Sequence, residues 1–265
     1  MKKSVISNLN AYQFELWQKI KNIKHFVSTR IGGVSADAYK SMNLSFSCGD
    51  DPEKVKQNRG ILAKALGMHT VNFFHCRQVH SDRIILLKSE KDLLSDDIKN
   101  ADAIVTNLKG ICIFVLVADC VPIILYDPEQ LVIAVIHAGW QGTCKKISEK
   151  TVSIMESEFG SNPDKITAGI GPCIGPDCYE VGDRVIQEAE KQGLTEFLIK
   201  DKSAKVFFDL PACNEHQLYK QGLKSQNIEK ASICSHCCQE DFYSYRMAVK
   251  NNQQTGRFAA GIMLV

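Results

Sequence analysis

Runs of consecutive apolar residues in the centre of the chain form the clearest pattern in the sequence. Three such runs occur at residues 111–117, 122–126 and 131–136. Strands with one face in solvent alternate apolar and polar positions, whereas strands buried on both faces read as continuous apolar runs. The pattern therefore predicts three central strands in a sheet that other layers cover on both sides.

Shorter patterns on either side of this centre predict further strands and helices. A helix over residues 52–66 has Asp51 as its N-cap, Pro52 at its first position and Gly67 after its end. Apolar positions at helical spacing predict further helices at residues 141–159, 179–192 and 211–221. Strands are expected at residues 71–80, 83–88, 101–106, 165–170 and 258–265. The mixture predicts an α/β (α+β) fold, built as a layered sandwich with mixed sheets.

The balance of charge and the absence of long apolar segments restrict the classes of partner. Lys and Arg number 32 against 30 Asp and Glu, so the net charge is +2 and no basic face for nucleic acid or an anionic membrane is expected. The longest apolar run, residues 111–118, is far shorter than the about 20 residues of a membrane-spanning helix. No secretory leader pattern opens the chain and no Pro/Ser/Gly-rich linker divides it. A single domain over residues 1–265 in the cytoplasm is therefore expected.

Eleven Cys and seven His are the unusual part of the composition. Because the number of cysteines is odd and their density is below the roughly 8–10% of a disulfide scaffold, we expect free thiols, some of them metal ligands. The segment Cys234-Ser235-His236-Cys237-Cys238 supplies a C-x-x-C half-site, and Cys173 and Cys178 are candidates for another half. A closed zinc site needs four ligands, so free thiols are the preferred interpretation of this cluster.

Three side chains that bind metals follow apolar strands of the predicted sheet. His80 ends one predicted strand, and Cys120 and His137 each follow one of the central apolar runs. Two imidazoles and a thiolate form a catalytic zinc set whose fourth position is left for water or substrate. If the three do not meet in space, they are a small core residue and two hydrogen-bonded histidines. Asp119 is a fourth catalytic candidate because burying an acid is costly: it either orients a ligand imidazole or caps a turn or helix.

Several short motifs occur along the chain in an order that resembles one known family. They are Ser28-Thr29-Arg30-Ile31-Gly32-Gly33-Val34-Ser35, Met42-Asn43-Leu44, Arg77-Gln78-Val79-His80, Ala101-Asp102-Ala103-Ile104-Val105-Thr106, Ala118-Asp119-Cys120-Val121-Pro122, His137-Ala138-Gly139-Trp140, Gly171-Pro172-Cys173-Ile174-Gly175, Cys178-Tyr179-Glu180-Val181-Gly182 and Phe242-Tyr243-Ser244-Tyr245-Arg246. From about residue 25 to residue 265, the chain resembles the YfiH or laccase-domain family, now described as purine nucleoside phosphorylases.

This resemblance implies a single-domain α/β/β/α sandwich and a zinc ion held by His80, Cys120 and His137, with copper as the other candidate metal. It also implies phosphorolysis of adenosine, inosine, guanosine and methylthioadenosine to the base and ribose 1-phosphate. Adenosine deamination is the implied second activity. The expected partners are a purine nucleoside and phosphate rather than nucleic acid or a membrane, and the expected state is a monomer or weak homo-oligomer.

Planar guanidinium groups bind phosphate with two hydrogen bonds, which makes certain arginines candidates for the phosphate site. The candidates are Arg30, Arg59, Arg246 and Arg257, each of which has the alternative of a solvated surface charge, and Arg59 is the one for which that alternative is preferred. Asn43 and Gln78 belong to the family motifs and are added as candidate substrate contacts.

The chain departs from the family pattern at two positions near these candidates. Gln141 follows Gly139-Trp140 where the family usually has Arg, and Met247 follows Arg246 where a second Arg is common. Both differences remove a positive charge, so they bear on the use of phosphate more than on the metal site.

Three other functions remain open for the same residues. A multicopper polyphenol oxidase would need roughly ten His ligands arranged in H-x-H pairs, whereas the chain has seven His and no such pair. A cysteine hydrolase would use Cys120 as its nucleophile and His80 or His137 as its base. A non-enzymatic role as a binding protein is the third alternative.

Overall fold

Two mixed sheets lie face to face at the centre of the molecule, and a third, antiparallel sheet lies beside them. The computed structural model describes residues 1–93 and 100–265, and the strands and helices all lie within these ranges. In spatial order, the first sheet consists of β1 (Lys2–Ile6), β2 (Leu9–Gln13), β3 (Ile23–Ser28), β15 (Phe258–Leu264), β7 (Cys112–Val117) and β4 (Phe73–Phe74). The second consists of β14 (Ile228–Lys230), β10 (Thr167–Ile170), β8 (Val121–Asp127), β9 (Val132–Ala138), β6 (Ala103–Thr106) and β5 (Ile84–Leu87). The small sheet consists of β11 (Glu180–Val181), β13 (Val206–Phe208) and β12 (Leu198–Lys200).

Helices cover the outer faces of the two large sheets. The helices are α1 (Pro52–Leu66), α2 (Trp140–Cys144), α3 (Ile147–Phe159), α4 (Asp183–Lys191), α5 (Leu210–Lys220) and α6 (Tyr245–Lys250). Leu62 and Leu66 of α1 pack on Phe26 and Phe114 of the first sheet. Residues of α3 and α5 pack on the far face of the second sheet. The order of layers is therefore α/β/β/α, as predicted.

The central strands are apolar at every position because each of their faces packs on a different layer. In β8, Ile124 points into the core between the sheets, whereas Ile123 and Leu125 point toward the helices. In β9, Val135 likewise points into the core between the sheets, whereas Ile136 points toward the helices. This alternation explains the continuous apolar runs that the sequence shows at residues 122–126 and 131–136.

The prediction of a strand at residues 71–80 is wrong for most of this range. Only Phe73–Phe74 pairs with β7, and the backbone then leaves the sheet. The side chain of Gln78 takes the place of a strand neighbour, since its amide donates to the Leu116 carbonyl at 2.7 Å and accepts from the Leu116 amide at 2.8 Å. His80 therefore lies in a loop, with a φ of 57°.

Two predicted helices begin or break differently in the structure. The helix expected at residues 141–159 is divided into α2 and α3 at Lys146, which has a φ of 61°. The carbonyl of Thr143 at this break accepts a hydrogen bond from Gln217 of α5 at 2.8 Å. In the helix expected at residues 179–192, the first residues form β11, and α4 begins after Gly182.

The prediction for residues 52–66 is confirmed together with its boundaries. Asp51 accepts a hydrogen bond from the amide of Glu53, and Gly67 ends the helix in the left-handed conformation with a φ of 67°. The strand at the end of the chain and the helix expected at residues 211–221 are confirmed to within a residue by β15 and α5. None of the described helices is both long and apolar enough to cross a membrane.

Candidate functional site

His80, Cys120 and His137 meet at one edge of the second sheet. Cys120 lies in the turn between β7 and β8, and His137 lies near the end of β9. His80 reaches them from the loop after β4, so that its Nε2 lies 3.9 Å from the Cys120 Sγ. The rings of His80 and His137 are 4.8 Å apart, and one ligand atom from each of the three residues lies within 4.8 Å of the others. The sequence prediction that these residues converge in space is therefore met by the geometry.

A buried carboxylate, Asp102, holds the two histidines in place. Its Oδ1 accepts from Nδ1 of His137 at 2.8 Å and from the amide of His80 at 3.0 Å. Its Oδ2 accepts from the Ser81 hydroxyl at 2.7 Å and from the Ser81 amide. Because Nδ1 of His137 donates to the carboxylate, its Nε2 is left to face Cys120. A carboxylate that orients a histidine in this way is typical of metal sites.

Asp102 is a site residue that the sequence reasoning did not assign. It lies directly before β6, whose residues are all buried, and Asp102 itself is fully buried. The sequence does contain a signal for this role, namely an acid next to an apolar strand. A carboxylate that is buried there requires hydrogen-bond partners.

The charge distribution of the site favours a thiolate. Burial by itself raises the pKa of Cys120, but the neighbouring His137 and His80 outweigh burial and lower it from 9.0 to about 6. Burial likewise lowers the pKa of His137, but the Cys120 thiolate and Asp102 outweigh it and raise that pKa to about 9. Both shifts favour a thiolate on Cys120 beside an imidazolium on His137.

The donor set and the spacing fit a single tetrahedral metal ion such as zinc. With Zn–S of about 2.3 Å and Zn–N of about 2.0–2.1 Å, the sulfur and nitrogen ligands of one tetrahedral zinc lie about 3.6 Å apart. The separation between Cys120 and His80 is close to this value. The lack of a side chain at Gly139 allows His80 and Cys120 to come this close. A Cβ at this position would lie 2.9 Å from the His80 ring and 3.1 Å from the Cys120 sulfur.

His80 and Cys120 line a cleft of about 280 Å³, and His137 lies buried behind them. Its walls are largely aromatic and aliphatic, and Arg246 and Asp119 are the charged side chains that line it within the described chain. The apolar wall residues are Trp140, Ile174, Tyr179, Leu210, Tyr245 and Val249. Such a cleft, apolar with a few polar groups at one end, is typical of small-molecule sites.

The carboxylate of Asp119 bonds to the start of α6 rather than to an imidazole. It accepts from the hydroxyls of Ser235 at 2.7 Å and Ser244 at 3.0 Å, and from the amide of Arg246 at 2.6 Å. The predicted alternative in which Asp119 orients a ligand imidazole is not supported, and these bonds match the helix-cap alternative. Asp119, which is next to Cys120, thereby fixes the start of α6, the helix that carries Arg246.

Two of the predicted arginines lie at or beside the cleft. Arg246 donates to the carbonyls of Glu180 at 2.8 Å and Cys178 at 3.4 Å, and its guanidinium lies 5.2 Å from the Tyr179 ring. Arg257 lies 5.8 Å from the ring of Tyr245, one of the wall residues.

The other predicted substrate contacts are occupied within the protein. Asn43 is fully buried, and both ends of its amide are hydrogen-bonded, to Asp50 at 2.9 Å among others. Gln78 is bonded through both ends of its amide to Leu116. Arg30 lies on a second, larger cleft of about 550 Å³, and its side chain donates to the carbonyls of Lys40 and Gln239.

Arg59 is also occupied within the protein, and it is not the solvated surface charge that the preferred interpretation expected. Its Nε donates to the Leu44 carbonyl at 2.9 Å, its Nη1 lies 3.0 Å from His75, and its guanidinium lies 4.5 Å from the Phe46 ring. Burial lowers the pKa of Arg59 to about 10. None of Asn43, Gln78, Arg30 and Arg59 is among the described residues that line the cleft of His80 and Cys120.

The two departures from the family pattern lie outside this cleft wall. Gln141 is the second residue of α2, directly after Trp140, and is half-buried. Met247 lies on α6 but lines the larger cleft together with Arg30.

Comparison with known proteins assigns the chain to a family. The family model described as "multi-copper polyphenol oxidoreductase laccase" matches residues 24–265. A purine nucleoside phosphorylase of Bacteroides thetaiotaomicron is 32% identical, with 98% of each chain covered. Adenosine deaminase RL5, from an unknown prokaryotic organism, is 34% identical over 90% of this chain and 94% of its own length. The crystal structure of Bacillus licheniformis hypothetical protein YfiH superposes with a TM-score of 0.88, at 28% identity and 96% coverage of both chains. The chain therefore belongs to the YfiH family of laccase-domain proteins.

Proposed function

We propose that this protein is a zinc-dependent purine nucleoside phosphorylase with adenosine deamination as a second activity. The observation that carries the proposal is the convergence of His80, Cys120 and His137 at the end of an aromatic cleft. Relatives named purine nucleoside phosphorylase and adenosine deaminase supply the substrate class. The substrates are adenosine, inosine, guanosine and methylthioadenosine.

The aromatic walls of the cleft bind the purine. Trp140, Tyr179 and Tyr245 offer flat apolar surfaces on which a base stacks. The volume of about 280 Å³ is near the lower end of small-molecule pockets, which begins at about 300 Å³. A cleft of this size suits one nucleoside with phosphate at its mouth, rather than a polynucleotide.

Arg246 binds the phosphate. Its guanidinium is held by backbone carbonyls and an aromatic ring, and none of its hydrogen bonds in the described chain goes to a carboxylate, so its charge is available to an anion. Asp119 fixes the start of its helix and thereby positions it. Arg257, beside Tyr245, adds positive potential at the same end of the cleft.

His80, Cys120 and His137 would hold the zinc ion, and Asp102 keeps the proton of His137 on Nδ1. When bound, zinc with an open position acts as a Lewis acid and lowers the pKa of a bound water to about 7. Trp140 and residues of α6 line the cleft, and these walls limit the access of bulk water to the bound base.

Chromatography of adenosine incubated with the protein, with and without phosphate, tests the proposal. Adenine that forms only with phosphate supports phosphorolysis, and inosine that forms without phosphate supports deamination. The Cys120→Ser variant is the negative control for both products. If the wild-type protein with one zinc at this site yields neither product, the proposal is overturned.

A cysteine hydrolase is the second candidate, because the same geometry lowers the pKa of Cys120 to about 6. A chelator separates the two functions. Turnover that persists after all metal has been removed favours the thiol route, and turnover that returns with zinc favours the phosphorylase.

A further inference from the structure

A second group of metal-binding side chains lies outside the cleft. The thiols of Cys178, Cys234 and Cys237 come together so that all three sulfur atoms lie within 4.8 Å of one another. The Sγ atoms of Cys178 and Cys237 are 3.4 Å apart. Cys178 ends the turn before β11, whereas Cys234 and Cys237 lie on the loop that follows β14. Two loops far apart in sequence are thus joined at three thiols.

The backbone around Cys234 is arranged to stabilise a negatively charged sulfur. Its Sγ accepts a hydrogen bond from the amide of Gly175 at 3.2 Å. A neutral thiol is only a weak acceptor, so an amide directed at this sulfur favours a thiolate ligand.

We propose that Cys178, Cys234 and Cys237 bind a second zinc ion, with solvent as the fourth ligand. Three thiolates around one tetrahedral zinc, with Zn–S of about 2.3 Å, lie about 3.8 Å apart, which is within the range of the observed sulfur separations. Soft thiolates select zinc over the oxygen-seeking cations. Cys237 is exposed, so the fourth position faces solvent, and binding releases to water the protons that the thiols still carry.

The second zinc ion stabilises the wall of the cleft. Ser235, between two of the ligands, donates to Asp119 at 2.7 Å. The carbonyl of Cys178 accepts from Arg246. The two loops that the metal joins are therefore the ones that hold the residue next to Cys120 and the arginine of the cleft. The site has a structural role, and its metal is distinct from the one proposed at His80, Cys120 and His137.

Metal analysis of four purified proteins tests this site without reference to activity. The wild-type protein, loaded with zinc and freed of excess, is expected to hold two zinc ions per chain. Cys237→Ser and Cys120→Ser are each expected to hold one. Cys238→Ser is the matched control, since Cys238 is adjacent to Cys237 but lies outside the cluster, and it is expected to keep both ions.

Alkylation of the wild-type protein gives an independent measurement that does not depend on the folding of a variant. Peptide mass mapping is expected to find Cys178, Cys234 and Cys237 protected with zinc and modified after chelation, while the protection of Cys238 does not change with zinc. The proposal is overturned if the wild-type protein holds one zinc that only Cys120→Ser removes. It is equally overturned if the mapping finds a Cys178–Cys237 disulfide in the protein prepared under reducing conditions.

Discussion

Two clusters of side chains that could bind a metal occur among the described residues, His80–Cys120–His137 and Cys178–Cys234–Cys237, and they differ in what surrounds them. In the first cluster, a buried carboxylate bonds to His137 and to the amide of His80, and an apolar cleft lies beside the ligand atoms. In the second, Cys234 accepts a hydrogen bond from the amide of Gly175, and Cys237 is exposed. Both clusters offer three potential ligands, but of the two only the first lines a cleft large enough for a small molecule.

The number of ligands alone does not distinguish a catalytic metal site from a structural one. The backbone conformation does distinguish them: His80 has a φ of 57° and Asp119, next to Cys120, has a φ of 87°. Non-glycine residues in the left-handed region are uncommon and cluster at functional sites. Neither Cys178, Cys234 nor Cys237 has such a conformation.

The largest effect is expected from Cys120→Ser. Serine is a poor ligand for zinc, so the variant should lose the ion of the cleft and with it several kcal/mol of transition-state stabilisation, about a 10³-fold loss of kcat/KM. Cys237→Ser should keep the ion of the cleft and therefore lose far less kcat/KM, which marks the contrast between the clusters. Full phosphorolysis by metal-free Cys120→Ser would contradict the catalytic assignment.

Gly139→Ala should be the next most harmful change. The added Cβ would lie 2.9 Å from the His80 ring and 3.1 Å from the Cys120 sulfur. Because a displacement of about 1 Å at reacting groups costs about 10²-fold, kcat/KM should fall by roughly that factor. Gly182→Ala is the matched control: Gly182 is also a helix N-cap, with no atom within 4 Å of an added Cβ. Equal losses in the two variants would mean that capping, not crowding of the ligands, is responsible.

Asp102→Asn should weaken metal binding at the cleft without changing the second cluster. Removing the charge of a group that orients a ligand histidine typically costs about 10–100-fold in metal affinity. Competition with a chelator measures this affinity, and Asp119→Asn, whose carboxylate does not contact the histidines, serves as the comparison. Unchanged affinity in Asp102→Asn would show that Asp102 only stabilises the loop.

Asp119→Asn is expected to give the smallest effect. The carboxylate accepts hydrogen bonds from the hydroxyls of Ser235 and Ser244 and from the amide of Arg246. Weakening these bonds should lower the free energy of unfolding, measured in urea, by about 1–2 kcal/mol. KM for phosphate should rise a few-fold with little change in kcat, because Arg246 is displaced while the metal ligands are not. Loss of zinc from this variant would place Asp119 with the ligands instead.

The fold was predictable where burial on both faces leaves a plain pattern. The central strands and α1, with its cap at Asp51 and its end at Gly67, follow from the sequence alone. The amino-terminal strands β1 to β3 were not predicted, because β1 and β2 lie at the edge of their sheet and carry polar residues among the apolar ones. The loop of His80 was mistaken for a strand because no local pattern shows that the Gln78 side chain replaces a backbone neighbour.

The three candidate ligands of the site were predictable from the sequence, but the groups that support them were not. His80, Cys120 and His137 follow apolar segments, and the ends of such segments meet at a sheet edge. Asp102 was not assigned because its partners, the amides of residues 80 and 81, come to it only after the loop has folded. The aromatic walls come from segments far apart in the chain, such as Trp140 and Tyr245, so no local pattern joins them.

The position of Asp102 has a consequence for the order of assembly. One carboxylate bonds both to the strand that carries His137 and to the loop that carries His80. The conformational entropy of bringing these ligands together is therefore lost during folding, not when the ion arrives. In zinc fingers, by contrast, the free energy of binding is also the free energy of folding. These hydrogen bonds predict that the polypeptide folds first and that a metal ion then binds to a preformed site.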